Sequence, residues 1–117
     1  MKVLITIHDD DIAERFDLSA EVIITHVTKA KTHSKLRTVL LPHPSAEEVC
    51  GLILKENISL VICGGIEESH YKYLSWKKVK VIDGVIGPFP EALQLVRESS
   101  LAAGTILPGA ITSPDGP

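Results

Sequence analysis

Apolar residues in this chain fall into short runs divided by polar breaks. Val3-Leu4-Ile5-Thr6-Ile7 is rich in β-branched residues, so residues 2–7 are predicted to form a strand. Residues 8–19 open on His8-Asp9-Asp10-Asp11 and are predicted as an irregular, partly acidic connection. Residues 20–27 contain Val22-Ile23-Ile24-Thr25 and are predicted as a second strand. Residues 28–35 are polar, with Lys29, Lys31, His33 and Lys35. Residues 36–41 are predicted as a third strand, stopped by Pro42 and Pro44. Three strands with short links predict an antiparallel meander.

The period then changes from two to that of a helix. Ser45 and Glu48 have capping-box spacing, and Ala46, Val49, Cys50 and Ile53 follow on one face. This helix is expected to end near Asn57. Residues 58–63 are predicted as a strand, 66–75 as a helix and 79–83 as a strand. Gly87-Pro88-Phe89-Pro90 opens a last helix that buries Ala92, Leu93 and Val96. Residues 1–103 therefore form one expected domain, and the proline-rich residues 104–117 a loosely ordered tail. The order β-β-β-α-β-α-β-α matches a ribonuclease H-like α/β layout: a five-stranded mixed sheet with helices on its faces. The first strand would lie parallel to the fourth, bringing His8 and the loop 8–19 near Cys63-Gly64-Gly65.

Composition narrows the class without changing this architecture. The chain has 117 residues, which suits one domain with a real core. Its formal charge of −3 provides no global field for nucleic acid. Two cysteines make no disulfide framework. The first apolar run is too short for a signal-peptide core, and no run nears the roughly 18 residues of a membrane span. A cytoplasmic protein with reduced thiols is expected, with neither nucleic acid nor membrane as partner.

Candidate chemistry concentrates at Cys63-Gly64-Gly65. A thiol at a strand exit is a soft ligand, and two glycines let a ligand approach the backbone closely. A following helix would point free N–H groups and its positive dipole end there, favouring a thiolate. The plainer alternative is a small buried residue followed by a tight turn. Cys50 is in phase with Ala46 and Ile53 and is expected in the core. His8 is a candidate metal ligand through its imidazole, and His70 a weaker one. His26, His33 and His43 are given no role. Arg15 is a candidate contact for an anionic ligand, with Asp17 or Asp10 as alternative partners. Asp9, Asp10 and Asp11 with Asp83 would suit a divalent cation, although three carboxylates in one short run read better as a solvated turn. Trp76-Lys77-Lys78 reads as a surface turn with an anchoring ring, open to a partner contact.

Several segments together resemble the dinitrogenase iron–molybdenum cofactor biosynthesis family, the NifX type also found as the C-terminal part of NifB. They are Val61-Ile62-Cys63-Gly64-Gly65-Ile66, residues 79–87, Glu91-Ala92-Leu93, and Arg15-Phe16-Asp17-Leu18. The resemblance covers roughly residues 2–100. It implies a ribonuclease H-like fold and a carrier that binds an iron–sulfur or iron–molybdenum cluster, or its precursor. Members often have His-Phe-Gly where this chain has Arg15-Phe16-Asp17, so a metal-holding histidine is absent there; His8 is the candidate substitute.

The expected function is thus a small cytoplasmic cluster carrier, not an enzyme. Cys63, Gly64, Gly65 and Arg15 would contact the cofactor, and Cys63 and His8 the metal. Cluster donor and acceptor proteins would be its partners. One cysteine cannot enclose a cluster, so small thiols or the second subunit of a homodimer would complete the ligand set. The alternatives are a regulatory or interaction domain that kept the fold without the cofactor, and, more remotely, a divalent-metal nuclease or phosphatase using Asp9, Asp11 and Asp83.

Overall fold

The computed structural model describes residues 1–28 and 35–110. In chain order the elements are β1 (Lys2–His8), β2 (Asp11–Ile12), a 3-10 turn (Phe16–Leu18), β3 (Glu21–His26), β4 (Arg37–Leu40), α1 (Ala46–Lys55), β5 (Leu60–Ile62), α2 (Glu68–Trp76), β6 (Lys80–Ile82) and α3 (Phe89–Arg97). The strands form one open sheet in the order β4-β3-β1-β5-β6, with β2 paired to β1 off this path. β1, β3 and β4 form the expected antiparallel meander, and β1, β5 and β6 run parallel.

Among the described residues the sheet has six strands where the pattern predicted five. The addition is β2, in the stretch expected to be irregular. Asp9 adopts a left-handed φ of 57°, which a short acidic side chain tolerates, and the chain turns back on itself. Ile7 then pairs with Ile12 and His8 with Asp11. Two residues are too short a run to show a period of two, and only Ile12 is buried.

The sheet separates two cores. On one face Val3, Ile5 and Ile7 of β1 join Ile23, Leu60, Ile62 and Ile82 beneath Ala92, Leu93 and Val96 of α3. On the other, Leu4, Val22, Ile24, Val61 and Val81 meet Val49 and Ile53 of α1 and Leu74 of α2. β1 and β5 are buried on both faces, so their apolar runs are continuous. Each such side chain contributes about 1.5–3 kcal/mol on burial, enough to fix a three-residue strand like β5.

Local signals set the helix boundaries. At α1 the Ser45 hydroxyl accepts from the Glu48 N–H at 3.2 Å, the first half of the expected capping box. The three α-helices among the described residues end in one way. Asn57, Lys78 and Ser99 have φ of 55°, 66° and 58°. The next residues, Ile58, Val79 and Ser100, donate to the carbonyls of Ile53, Leu74 and Leu95 at 3.0, 2.9 and 2.9 Å. This six-to-one bond is the Schellman closure, here without glycine. Glu56 beside the first of these ends binds Lys2 Nζ at 3.0 Å and Arg37 at 2.6 Å, tying α1 to β1 and β4.

Part of the expected loose tail is packed. Ile86 donates to Thr105 at 3.0 Å, Leu107 donates to Ile86 at 2.8 Å, and Leu107 is 1% exposed in the α3-side core. Prolines and glycines mark this segment as irregular, but an irregular backbone still buries a leucine when a neighbouring loop takes its hydrogen bonds. Residues 111–117 of the expected tail lie outside the described residues. No described helix is long and apolar enough to cross a membrane.

Candidate functional site

The C-terminal ends of β1 and β5 share one sheet edge, and the segment after β1 is laid across it. Ala13 donates to the Thr6 carbonyl at 2.9 Å, Gly65 to Glu14 at 2.7 Å, and Phe16 to Gly65 at 2.8 Å. Residues 13–16 thus form a strap over Gly64-Gly65. Its anchor is Phe16, fully buried in the core beneath α1 and α2. Ile12 donates to the Gly87 carbonyl at 2.9 Å, holding β2 to the loop before α3.

Two adjoining cavities flank the strap. The larger, of about 760 Å³, is lined by residues that include His8, Asp11, Glu14, Arg15, Glu21, Leu40 and Ile86. The smaller, of about 260 Å³, is lined by Ile12, Glu14, Gly64, Gly65, Gly84, Val85 and Ile86. Ile12, Glu14 and Ile86 belong to both. Of the residues singled out in the sequence, His8 and Arg15 therefore face the larger space, and Gly64 and Gly65 the smaller.

Cys63 faces neither. It is fully buried in the core under α1 and α2. Burial, then the nearby charge of Asp83, pushes its thiol up to about 12, so it is protonated at neutral pH. The thiolate expected from the sequence needed a helix N-terminus at the sulfur, but α2 begins only at Glu68. Cys50 is buried in the same core as predicted, and burial followed by Glu47 raises its thiol as well. Both cysteines are free.

Arg15 adopts the alternative considered for it. Its Nε and a terminal nitrogen bind the two Asp17 carboxylate oxygens at 3.0 and 2.8 Å, leaving its charge already matched. His70 lies outside both cavities, its ring 6.0 Å from that of Phe16. His26 and His43 are exposed, and His33 lies outside the described residues. Asp9, Asp10 and Asp11 are exposed, and Asp83 lines neither cavity. Among the described residues, no three His, Cys, Asp or Glu side chains are grouped to hold a metal ion.

Sequence reasoning missed the apolar mouth of the larger cavity. Leu18, Leu40 and Ile86 line it while 61%, 73% and 54% exposed. The available signal was weak: Leu18 stands alone beside Asp17, while Leu40 and Ile86 belong to short apolar runs that do not mark which member faces outward. The arrangement offers one imidazole, carboxylates of Asp11, Glu14 and Glu21, and an apolar rim. These side chains carry oxygen and nitrogen donors, but among the described residues no three of them are grouped into a ligand shell.

No protein-family model matches the chain, and no curated protein matches it. Solved structures do. The crystal structure of PH0822 aligns with a TM-score of 0.78 at 18% identity, over 88% of this chain and 94% of that one. The crystal structure of "a putative dinitrogenase" from Methanocaldococcus jannaschii aligns with a TM-score of 0.69 at 25% identity, over 97% of each chain. The NMR structure of "a putative NifB protein" from Thermotoga, assigned to the DUF35 family, gives 0.64 at 18% identity over 90% and 95%. The likenesses show the fold. Two of these neighbours bear dinitrogenase- or NifB-type names, in coarse agreement with the resemblance read from the residues.

Proposed function

We propose that this chain is a small carrier with a ribonuclease H-like sheet of the NifX/NifB type, binding an iron–sulfur or iron–molybdenum cluster or its precursor. The observation that carries the reading is the pair of adjoining cavities at the shared end of β1 and β5, lined by His8, Arg15, Gly64 and Gly65. The fold neighbours with dinitrogenase- and NifB-type names support it. In this reading the role is binding and transfer rather than catalysis. His8 supplies an imidazole to the cargo, and Gly64-Gly65 let it approach the backbone. Arg15 contacts the cargo only by leaving Asp17. The remaining metal positions are filled by the cargo's own ligands, by small thiols or by a second subunit. An incomplete shell suits a carrier, which must also release its cargo to an acceptor protein. Two free, buried cysteines suit the cytoplasm.

The test is anaerobic loading of wild type, His8→Ala and Cys63→Ala, first with clusters reconstituted from ferrous iron and sulfide, then with isolated iron–molybdenum cofactor. Iron, molybdenum and sulfide per chain and the absorption spectrum are the readouts. Uptake that falls in His8→Ala and persists in Cys63→Ala is expected. Uptake lost only in Cys63→Ala would move the site beneath the strap. A folded wild type that takes up nothing would sink the carrier reading.

That last outcome would favour a second reading, an interaction domain without a cofactor. The full burial of Cys63 away from both cavities is the observation on its side.

A further inference from the structure

The five aromatic residues divide by chemistry. Phe16 and Phe89 are buried, whereas Tyr71, Tyr73 and Trp76 are 39%, 39% and 72% exposed, all on α2. Leu74 is the only fully buried residue of that helix. Tyr73, Trp76 and Lys77 follow at i, i+3 and i+4, which makes them one surface stripe. The two rings lie 6.3 Å apart, and Lys77 Nζ sits 4.6 Å from the Trp76 centroid and 5.8 Å from that of Tyr73.

Charge is segregated in the same stretch of sequence. From residue 69 to residue 82 there are four lysines and no carboxylate. The chain carries −3 in total, so everything outside this stretch carries −7. Lys72 is tied to Glu68 at 2.8 Å. Among the described residues, Lys77, Lys78 and Lys80 have no carboxylate partner.

We propose that the Tyr73–Trp76–Lys77 stripe at the C-terminal end of α2, with Lys78 beside it in the chain, is a docking surface for an acidic partner protein that presents apolar side chains bordered by Asp or Glu. Exposed tryptophan and tyrosine on a regular element are the residue types that anchor protein interfaces. The unpaired lysines complement carboxylates at the border of that contact. Basic residues among aromatics also suit single-stranded nucleic acid, but base stacking needs a free ring face. Here the Lys77 ammonium occupies one face of Trp76, and a carboxylate can join that ammonium without displacing it. The stripe lines neither cavity, so the surface stands independently of the carrier reading.

Trp76 is the only tryptophan, so its fluorescence reports on the stripe directly. The probe is a synthetic amphipathic helical peptide with leucines on one face and glutamates beside them. Controls are the same peptide with lysine for glutamate, and a thymidine oligonucleotide. The glutamate peptide should shift Trp76 emission to the blue with saturation, more weakly at high salt. Lys77→Glu with Lys78→Glu should weaken binding at least about tenfold. Trp76→Ala, followed by calorimetry, should do the same without altering the unfolding midpoint, since the ring is exposed. No response to the glutamate peptide, an equal response to the lysine peptide, or tighter binding of the oligonucleotide would each overturn the proposal.

Discussion

Gly64 lies directly beneath the backbone of Glu14: a Cβ at Gly64 would stand 2.5 Å from the Glu14 carbonyl oxygen and closer still to that of Ala13. The obstacle is main chain held by hydrogen bonds at Gly65, not a side-chain end that can turn away. Gly64→Ala should therefore displace the strap and cost about 1–3 kcal/mol, the usual penalty of overpacking. At Gly65 the same Cβ would meet the Glu14 oxygen at 3.4 Å, an ordinary contact. Gly65→Ala should stay within about 0.5 kcal/mol of wild type. Urea unfolding of both variants measures the contrast, and equal stabilities would refute the account of the strap.

Cys63 makes stability depend on alkaline pH. Its thiol is raised from the ordinary 9.0 to about 12, so the folded chain keeps a proton that the unfolded chain releases. The stabilisation is complete below pH 9.0 and is lost as pH rises towards about 12. The slope is on the order of 1 kcal/mol per pH unit. The stability difference between wild type and Cys63→Ala should shrink across that window. A difference that does not change with pH would show the thiol to be solvated in the native protein.

Glu56 acts at the opposite end of the pH scale. Hydrogen bonds from Lys2 and then Arg37 hold its carboxyl below the usual 4.5. The contribution is present above pH 4.5 and is lost as pH falls through the lowered value. Glu56→Gln should lower the thermal midpoint at neutral pH and converge with wild type in acid. Parallel midpoint curves would mean that the two cations do not bind it in solution.

Leu107 closes the α3-side core from outside the predicted domain boundary. Leu107→Ala should cost about 2–5 kcal/mol, as for other buried leucines. A loss under about 0.5 kcal/mol in denaturant unfolding would mean that the segment is not seated in solution.

The legible and illegible parts of this chain differ in how their energy is distributed. β1 and β3 contain unbroken runs of β-branched and apolar residues, and α1 and α3 repeat apolar positions at helical spacing, so each carries its own signal. The parallel pairing of β1 with β5 followed from element order alone. β2 and the seat of Leu107 depend on single side chains and on bonds to distant loops, which no local period records. The site was legible to the same extent. Element order placed His8, Arg15, Gly64 and Gly65 at one edge, where the structure has them. The direction of Cys63 was not legible, because a residue ending a buried strand turns inward or outward according to the sheet register. Leu4 and Val61 are paired and share the α1/α2-side core, and Cys63, two residues past Val61, points the same way.

The left-handed residues that end the three helices leave an unused margin of stability. Asn57, Lys78 and Ser99 hold a conformation that disfavours a Cβ by about 1–2 kcal/mol, least so for asparagine. Glycine's greater freedom when unfolded offsets part of any gain from replacing them. Lys78→Gly and Ser99→Gly should still raise the melting temperature, and more than Asn57→Gly. The fold thus has separate, additive points at which it can be hardened, none of them lining either cavity. Ser99 in particular also lies outside the exposed stripe of α2, so a sturdier version of this protein can be made with both cavities and that stripe unaltered.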